Sequence, residues 1–252
     1  MHSTMKNKPK LFLFPLIAAL FWIGVWQILA LTLDIGFVFP RFEDTVVAFF
    51  GLLITGRFWL TILLSFLRIL LGFLIGALLG CLLAPLTHHL EIARAIISPA
   101  MTVIRSTPVA SFILVLWCLI GKNFIPTAIG VLMVTPIVWQ NLMDGYGAVS
   151  RELEEVCLIY RLSPLKKFRL LILPTLIKFL LPALVTASAL AWKSGIAAEI
   201  IVYTKNSIGK EIIDAKGAFE SELMFAWTIA VVLLSILIEL MIKRLGKVVR
   251  KL

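Results

Sequence analysis

Charged side chains are scarce in this sequence. Only 15% of its 252 residues are Asp, Glu, Lys or Arg, whereas 61% are hydrophobic and the mean hydropathy is +1.04. This composition is too apolar for a water-soluble domain, so it predicts a polytopic membrane protein. The net charge of +10 does not indicate nucleic-acid binding, because the charges lie in short segments between long apolar runs.

The sequence also lacks the motifs of an enzyme that works alone. It has no Gly-x4-Gly-Lys-Ser/Thr run for binding ATP, no His-Glu-x-x-His motif for zinc and no Gly-x-Ser-x-Gly turn for a nucleophile. Its three cysteines, Cys81, Cys118 and Cys157, do not have the spacing of metal ligands. We therefore expect no catalytic residue, metal site or cofactor in this chain, and any ATP that drives it would be bound by a partner.

Long apolar runs predict an all-α fold with six transmembrane helices. About 20 residues at 1.5 Å each cross a hydrocarbon core of about 30 Å. We expect residues 1–10 to form a short amino-terminal segment and residues 11–252 to form a single transmembrane domain. The predicted spans are residues 11–31, 61–85, 98–120, 124–143, 176–202 and 225–242.

The placement of lysine and arginine predicts the orientation of these spans. Residues 1–10, 87–97, 144–174 and 243–252 together hold 14 of the 24 Lys and Arg residues, and the loops on the other side hold six. Because cytoplasmic loops carry the excess of positive charge, both termini and the 144–174 loop are expected in the cytoplasm.

Three glycines repeat at every fourth residue of the second predicted span. Gly72, Gly76 and Gly80 fall on one face of that helix and leave it without side chains. Small residues at this spacing allow the backbones of two helices to approach closely in a membrane. We therefore predict that another helix packs on this face.

The longest polar interruption of the chain is the loop of residues 144–174. Within it, Leu153, Val156, Cys157 and Tyr160 have the i, i+3, i+4 and i+7 spacing of one helical face. An apolar stripe on a loop in water favours contact with a partner. It would either dock on a protein or lie on lipid headgroups.

The second half of the loop predicts another short helix after a bend. Ser163 fits the cap of this helix and Pro164 its first position, where a missing N–H has no consequence. We expect Leu173–Pro174 to end it, because a residue before proline is pushed out of the α region. The helix would carry apolar Leu165 and Phe168, with the cations Lys166, Lys167 and Arg169 around them.

The run EEVCLIYRLSPLKKFRLLILP resembles the EAA loop in permease subunits of bacterial ABC importers. In that pattern, Glu-Ala-Ala is followed by a glycine and, further on, by an aliphatic residue, Leu and Pro. Glu155, Val156 and Cys157 take the Glu-Ala-Ala places, Arg161 stands where glycine is expected, and Leu173–Pro174 closes the motif. The likeness extends through most of the chain and is nearest to permeases of the nitrate, sulfonate and taurine group.

This resemblance implies that the loop docks into a groove of a cytoplasmic ATPase and transmits its motion. It also implies ATPase subunits that bind ATP and Mg, a second permease copy and an extracytoplasmic substrate-binding protein. We expect a dimer in the membrane lipid of a bacterial cytoplasmic membrane, a homodimer in preference to a heterodimer, although no residue decides between the two. The expected cargo is a small solute such as nitrate, a sulfonate, taurine or a vitamin precursor. The residues implied in ATPase coupling are Leu153, Glu154, Glu155, Val156, Cys157, Tyr160, Arg161, Ser163, Pro164, Leu165, Lys166, Lys167, Phe168 and Pro174.

Polar residues inside the spans are the candidates for a translocation pathway. A Lys or Arg near the bilayer centre costs about 2.5–3.5 kcal/mol on insertion scales, so it usually faces a cavity or a partner. A helix break at Gly195 would bring Lys193 and Glu199 to one side, and the alternative is a structural Lys–Glu pair between helices. The predicted pathway residues are Arg68, Arg105, Gln140, Trp192, Lys193 and Glu199.

Two other functions remain open from the residues. One is the membrane subunit of an energy-coupling-factor importer, although the Ala-Arg-Gly pairs usual in such subunits are not found. The other is an intramembrane enzyme acting on lipids, although paired acids or a nucleophile with its base are lacking. A co-purifying ATPase would favour an importer, and activity on lipid without a partner would favour an enzyme.

Overall fold

Eleven α-helices make up most of the part of the chain that the structure describes. The computed structural model describes residues 8–33 and 35–249, and for residues 8–13, 15, 245 and 247–249 it describes the backbone alone. Residues 1–7, 34 and 250–252, which belong to the predicted amino-terminal segment and transmembrane domain, lie outside the described residues. The helices are α1 Lys8–Leu33, α2 Phe42–Leu53, α3 Gly56–His89, α4 Glu91–Ser106, α5 Val109–Leu119, α6 Ile125–Gly147, α7 Arg151–Ile159, α8 Pro164–Lys167, α9 Leu173–Val202, α10 Ile208–Gly217 and α11 Ser221–Val249.

Among the described residues, five helical segments are long and apolar enough to cross a membrane. They lie in α1, α3, α6, the continuous stretch Pro164–Val202 and α11. The pair α4 and α5 would supply a sixth span if it is counted as one bent element. No strand occurs in the part of the chain that the structure describes. The prediction of an all-α polytopic membrane protein is confirmed.

The third predicted span, residues 98–120, is not one straight helix. The chain turns by 108° between α4 and α5. Thr107, at the turn, has an extended backbone with φ −85° and ψ 133°. Pro108 follows it, and a proline ring pushes the preceding residue out of the α region. The predicted span is therefore made of two helices, because Pro108 interrupts the apolar run.

The chain divides into two compact units, and the prediction of a single domain stays untested. The first unit comprises residues 1–59 and 211–230. In its described part, the indole of Trp26 donates a hydrogen bond to the Pro40 carbonyl at 3.0 Å. The same ring lies 5.4 Å from the ring of Phe225. An aromatic side chain with a satisfied N–H thus joins α1 to α11.

The second unit comprises residues 60–210 and 231–252 and contains the loop and most predicted pathway residues. Its most buried span is α6, with 61% of the apolar window inside the protein. Apolar side chains of α5, α6 and α9 form a fully enclosed cluster there. This cluster consists of Ile113, Ile125, Ile129, Met133, Ala198 and Val202.

The glycine face of α3 packs directly on α6. A Cβ atom placed on Gly76 would lie 2.8 Å from the Val134 Cβ, closer than real Cβ atoms come. A Cβ on Gly72 would meet the Thr127 carbonyl oxygen, and one on Gly80 would meet the Val138 side chain, with equally little space. The close approach that the four-residue repeat predicts is therefore present along three turns of helix.

Candidate coupling loop and intramembrane polar network

The first helix of the loop, α7, begins at a serine cap. The Ser150 hydroxyl accepts a hydrogen bond from the Leu153 backbone N–H at 3.2 Å. This bond satisfies one of the N–H groups that a helix start leaves unpaired. Glu152 and Glu154 occupy the first turn, where the helix dipole favours negative charge. Sequence analysis missed this cap, although serine before an acidic first turn is its usual signal.

The bend after α7 is a Schellman motif. The N–H of Leu162 donates to the Cys157 carbonyl at 2.9 Å, and the N–H of Arg161 donates to the Leu158 carbonyl at 3.0 Å. Arg161 has φ 50°, in the left-handed region. It stands at the position where the EAA pattern has glycine, which adopts this conformation freely. For a residue with a Cβ the conformation costs about 1–2 kcal/mol, so the backbone of the bend is kept although the glycine is not.

The second helix, α8, begins as the sequence predicts. The Ser163 hydroxyl accepts a bond from the Lys166 N–H at 3.4 Å, and Pro164 occupies the first helical position. An ion pair then joins the two helices across the bend, because the Lys167 ammonium lies 2.8 Å from a Glu154 carboxylate oxygen. Both side chains are partly exposed, so this pair adds little stability to the bend.

The helix does not end at Leu173–Pro174, and that prediction was wrong. Phe168–Ile172 form a π-helical turn that leads directly into α9. The Leu173 N–H donates to the Phe168 carbonyl, five residues back, and Leu173 keeps α backbone angles. A widened turn of this kind accommodates the proline ring, which would otherwise clash with the carbonyl of the preceding turn. The loop is consequently continuous with a transmembrane helix.

The loop exposes a set of large apolar side chains that we call the loop patch. Each of them is between 44% and 77% exposed, although they belong to helices that are capped and ordered. Leu158 and Ile159 were missed by sequence analysis because they fall off the predicted face. The signal was the unbroken apolar run at the end of α7. The loop patch consists of Leu153, Val156, Leu158, Ile159, Tyr160 and Leu165.

The other predicted coupling residues surround this patch. Cys157 is half-buried, and Phe168 is exposed. Polar and proline residues of the prediction that are also exposed are Glu155, Arg161, Ser163, Pro164, Lys166 and Pro174. The structure thus brings the predicted coupling residues together on one loop. That they contact an ATPase stays a prediction.

A buried carboxylate lies at the opposite end of α9. The Glu199 side chain is fully enclosed. One of its oxygens accepts bonds from the Ser65 hydroxyl at 2.9 Å and from the Gly209 N–H at 3.3 Å. Its other oxygen has no hydrogen bond and lies 3.7 Å from the Arg68 guanidinium. Arg68 is therefore the cation that balances this charge.

The same arginine also holds the turn that follows α9. Its guanidinium donates to the carbonyl oxygens of Lys205 and Asn206 at 3.0 and 3.1 Å. The Ser65 hydroxyl, one turn before Arg68 on α3, accepts a bond from the Ile208 N–H at 3.0 Å. Two side chains of α3 thus fix both the Glu199 carboxylate and the chain leaving it. Sequence analysis missed Ser65, although its spacing from Arg68 places both on one helical face.

The predicted group of Trp192, Lys193 and Glu199 does not come together. Trp192 is buried and its indole donates to the Val231 carbonyl at 3.1 Å. Lys193 is exposed and has no partner among the described side chains. The predicted break at Gly195 is absent, because α9 runs straight through it. A Cβ at Gly195 would lie 2.5 Å from Ile69, so this glycine serves close packing and not bending.

A second polar group joins α4 to α6 just before the turn at Thr107. The Arg105 guanidinium donates to the Gln140 side-chain oxygen at 3.3 Å. The Gln140 amide in turn donates to the Asp144 carboxylate at 2.8 Å. Arg105 and Asp144 are exposed, so two of the predicted pathway residues share an open polar face with an acid at the start of the loop.

Residues 72–251 match the family described as the binding-protein-dependent transport system inner membrane component. The chain belongs to this family. The permease is accordingly an inner-membrane component of an ABC importer and not an enzyme. The family implies an ATPase and a substrate-binding protein as partners.

The fold of the permease also has a counterpart among solved structures. It is similar to a crystal structure of an amino acid ABC transporter with histidines, with a TM-score of 0.61 and 17% sequence identity. The similarity covers 75% of the permease and 90% of the other chain. At this identity the likeness concerns the fold alone. No curated protein matches the permease.

Proposed function

We propose that the permease moves a small solute inward and takes the energy of ATP from a separate ATPase that docks on residues 144–174. The observation that carries this proposal is the loop patch. Large apolar side chains lie open to solvent on two short helices that begin at serine caps and are bridged across their bend by an ion pair. A rigid, apolar surface of this kind is suited to a complementary groove.

The continuity of the helix beyond the loop gives the docked ATPase a mechanical path into the membrane. The helical stretch Pro164–Val202 has no break, and the Glu199 network lies near its far end. A displacement of the loop would therefore move a long, stiff element. In the proposed cycle, ATP closes the ATPase pair, the docked loops move together and the spans open outward, and hydrolysis resets them. Each nucleotide state shifts the equilibrium only through its different affinity for the two conformations.

The finer assignments rest on the sequence. The excess of Lys and Arg in residues 1–10, 87–97, 144–174 and 243–252 supports an orientation with both termini and the loop in the cytoplasm. The resemblance supports a dimer of permeases that receives its solute from an extracytoplasmic binding protein, and we propose that its two permeases are identical copies. It also supports nitrate, a sulfonate, taurine or a vitamin precursor as the solute class. The ligand of the cognate binding protein would identify the solute.

The docking proposal is tested by placing a charge in the loop patch. Tyr160→Asp and Leu165→Asp should each abolish co-purification of the cognate ATPase, because a buried unpaired carboxylate in an apolar contact is strongly unfavourable. The matched control is Ile54→Asp, since Ile54 is an equally exposed apolar residue after α2. This control should keep the ATPase bound.

The alternative is that the loop patch lies on lipid headgroups. A single cysteine at Tyr160, in a chain without Cys81, Cys118 and Cys157, distinguishes the two. With docking, this cysteine cross-links to the ATPase and is protected from a water-soluble maleimide only while the ATPase is present. Equal protection without the ATPase, or labelling from the outer side of the membrane, would overturn the proposal.

A further inference from the structure

A groove of about 540 Å³ separates α9 from α11 within the second unit. Its walls include Leu181 and Val185 on α9 and Leu240 on α11. The walls come together at Gly246, where an added Cβ would lie 3.8 Å from the Leu181 side chain. The groove is a cleft between two helices, of a size typical for small-molecule sites.

Three cations line this apolar cleft. Lys178 stands on the α9 wall, and Lys243 and Arg244 stand on the α11 wall. Lys243 is paired with Glu239 on its own helix. Neither Lys178 nor Arg244 has a hydrogen-bond or ion-pair partner among the described side chains. No acidic residue lines the cleft in the described part of the chain, so it keeps two uncompensated positive charges on opposite walls.

The cleft lies where the apolar part of α11 ends and close to the loop. The membrane-type window of α11 reaches Arg244. On the other wall, Lys178 follows the π-helical turn by about one and a half turns of α9. The sequence that follows Gly246 is also basic, with Lys247, Arg250 and Lys251.

We propose that this cleft binds one anionic phospholipid. The headgroup phosphate would lie between Lys178 and Arg244, and an acyl chain would follow the apolar wall toward Val185 and Leu240. Charge complementarity identifies the occupant, because basic pockets between transmembrane helices attract anionic headgroups. An inorganic anion would leave the apolar wall of the cleft uncovered, whereas a phospholipid covers it with an acyl chain. The proposal goes beyond solute transport and does not rest on the docking of an ATPase.

A lipid-binding site can be distinguished by its stoichiometry and headgroup preference from cationic side chains that only extend into the headgroup region. Lysine and arginine at span ends often extend in this way without holding any particular lipid. A site on two walls saturates at one lipid and prefers an anionic headgroup over a zwitterionic one with the same acyl chains. It also weakens with salt, since the contact is partly electrostatic.

Native mass spectrometry of the purified full-length permease in detergent tests the proposal. Phosphatidylglycerol and phosphatidylcholine with identical acyl chains are the probes, and Lys178→Gln/Arg244→Gln is the test variant. The control variant is Lys205→Gln/Lys216→Gln, which removes the same charge from residues outside the cleft. The test variant should bind phosphatidylglycerol about 25-fold more weakly, since each cation near a membrane surface contributes roughly fivefold. The control should stay within about twofold of the wild type.

Inorganic phosphate distinguishes the whole lipid from its headgroup. At millimolar concentration it should not displace phosphatidylglycerol, because it gains nothing from the apolar wall. The proposal is overturned if the test variant stays within about threefold of the wild type, or if the control variant loses as much affinity. Equal binding of phosphatidylcholine, or displacement by phosphate, would also overturn it.

Discussion

Replacing Arg68 should destabilise the permease more than replacing its ion-pair partner Glu199. Arg68→Met leaves the Glu199 carboxylate fully enclosed, with donors to one oxygen and no cation near the other. Breaking a buried ion pair from one side costs about 3–5 kcal/mol, because the remaining charge stays buried without compensation. The hydrogen bonds to the carbonyls of Lys205 and Asn206 are lost as well, but they are exposed and contribute less.

The reverse substitution should be milder. In Glu199→Gln the amide keeps a hydrogen-bonding group beside Ser65 and Gly209. Arg68 is itself 20% exposed and retains two carbonyl partners, so it is not left as an isolated charge. We expect a loss of about 1–3 kcal/mol. The double variant Arg68→Met/Glu199→Gln should be more stable than Arg68→Met alone, since no buried charge then remains.

Equilibrium unfolding of the purified permease in mixed detergent micelles measures these differences. Arg105→Met is the matched control, because Arg105 is another arginine within a predicted span but makes only one long, exposed bond to Gln140. Its loss should cost less than about 1 kcal/mol. The reasoning fails if Arg68→Met lies within about 1 kcal/mol of the wild type, or if the double variant is less stable than Arg68→Met.

Four further predictions concern the loop and the spans. Arg161→Gly should keep the unfolding free energy within about 1 kcal/mol of the wild-type value. Arg161→Val should lower it by at least about 1 kcal/mol and weaken ATPase capture, because a β-branched residue disfavours the φ of 50° at this position. Glu154→Lys and Lys167→Glu should each reduce permease-stimulated ATPase activity, and the combined charge swap should restore it; failure of the swap would remove the ion pair from coupling. Gly76→Leu should lower the unfolding free energy by about 1–3 kcal/mol, and no loss would contradict the packing of α3 on α6. Lys193→Met should abolish solute uptake while ATPase capture persists, and full uptake would exclude Lys193 from the pathway.

Local features of the loop could be predicted from the sequence because short-range rules decide them. Ser163 and Pro164 begin α8 because a hydroxyl cap and a proline at the first position each act within one turn. The glycine repeat of α3 similarly needs only a helical period to define a bare face. Such features depend on neighbours three or four residues away, and the fold does not alter them.

Partners that lie far apart in sequence could not be predicted in the same way. The sequence favours Lys193 as a neighbour of Glu199 because the two are close along the chain, and a break at Gly195 would be needed to bring them to one side. The structure instead pairs Glu199 with Arg68 of another helix. A buried carboxylate requires some cation, but which cation approaches it depends on how α3 and α9 pack. No local pattern contains that information.

The two wrong predictions about α9 have a common physical cause. Pro174 and Gly195 both weaken an isolated helix, and each was expected to interrupt this one. In the fold, a π-helical turn before Pro174 accommodates the ring, and Ile69 fills the space beside Gly195, where any larger residue would clash. A proline or glycine that weakens an isolated helix can thus lie within a continuous helix, if a widened turn accommodates the proline ring or a neighbouring side chain packs against the glycine. The unbroken helix connects the loop patch to the Glu199 network. Pro174 and Gly195 both lie on this helix, so its continuity at these two residues is what the proposed coupling requires.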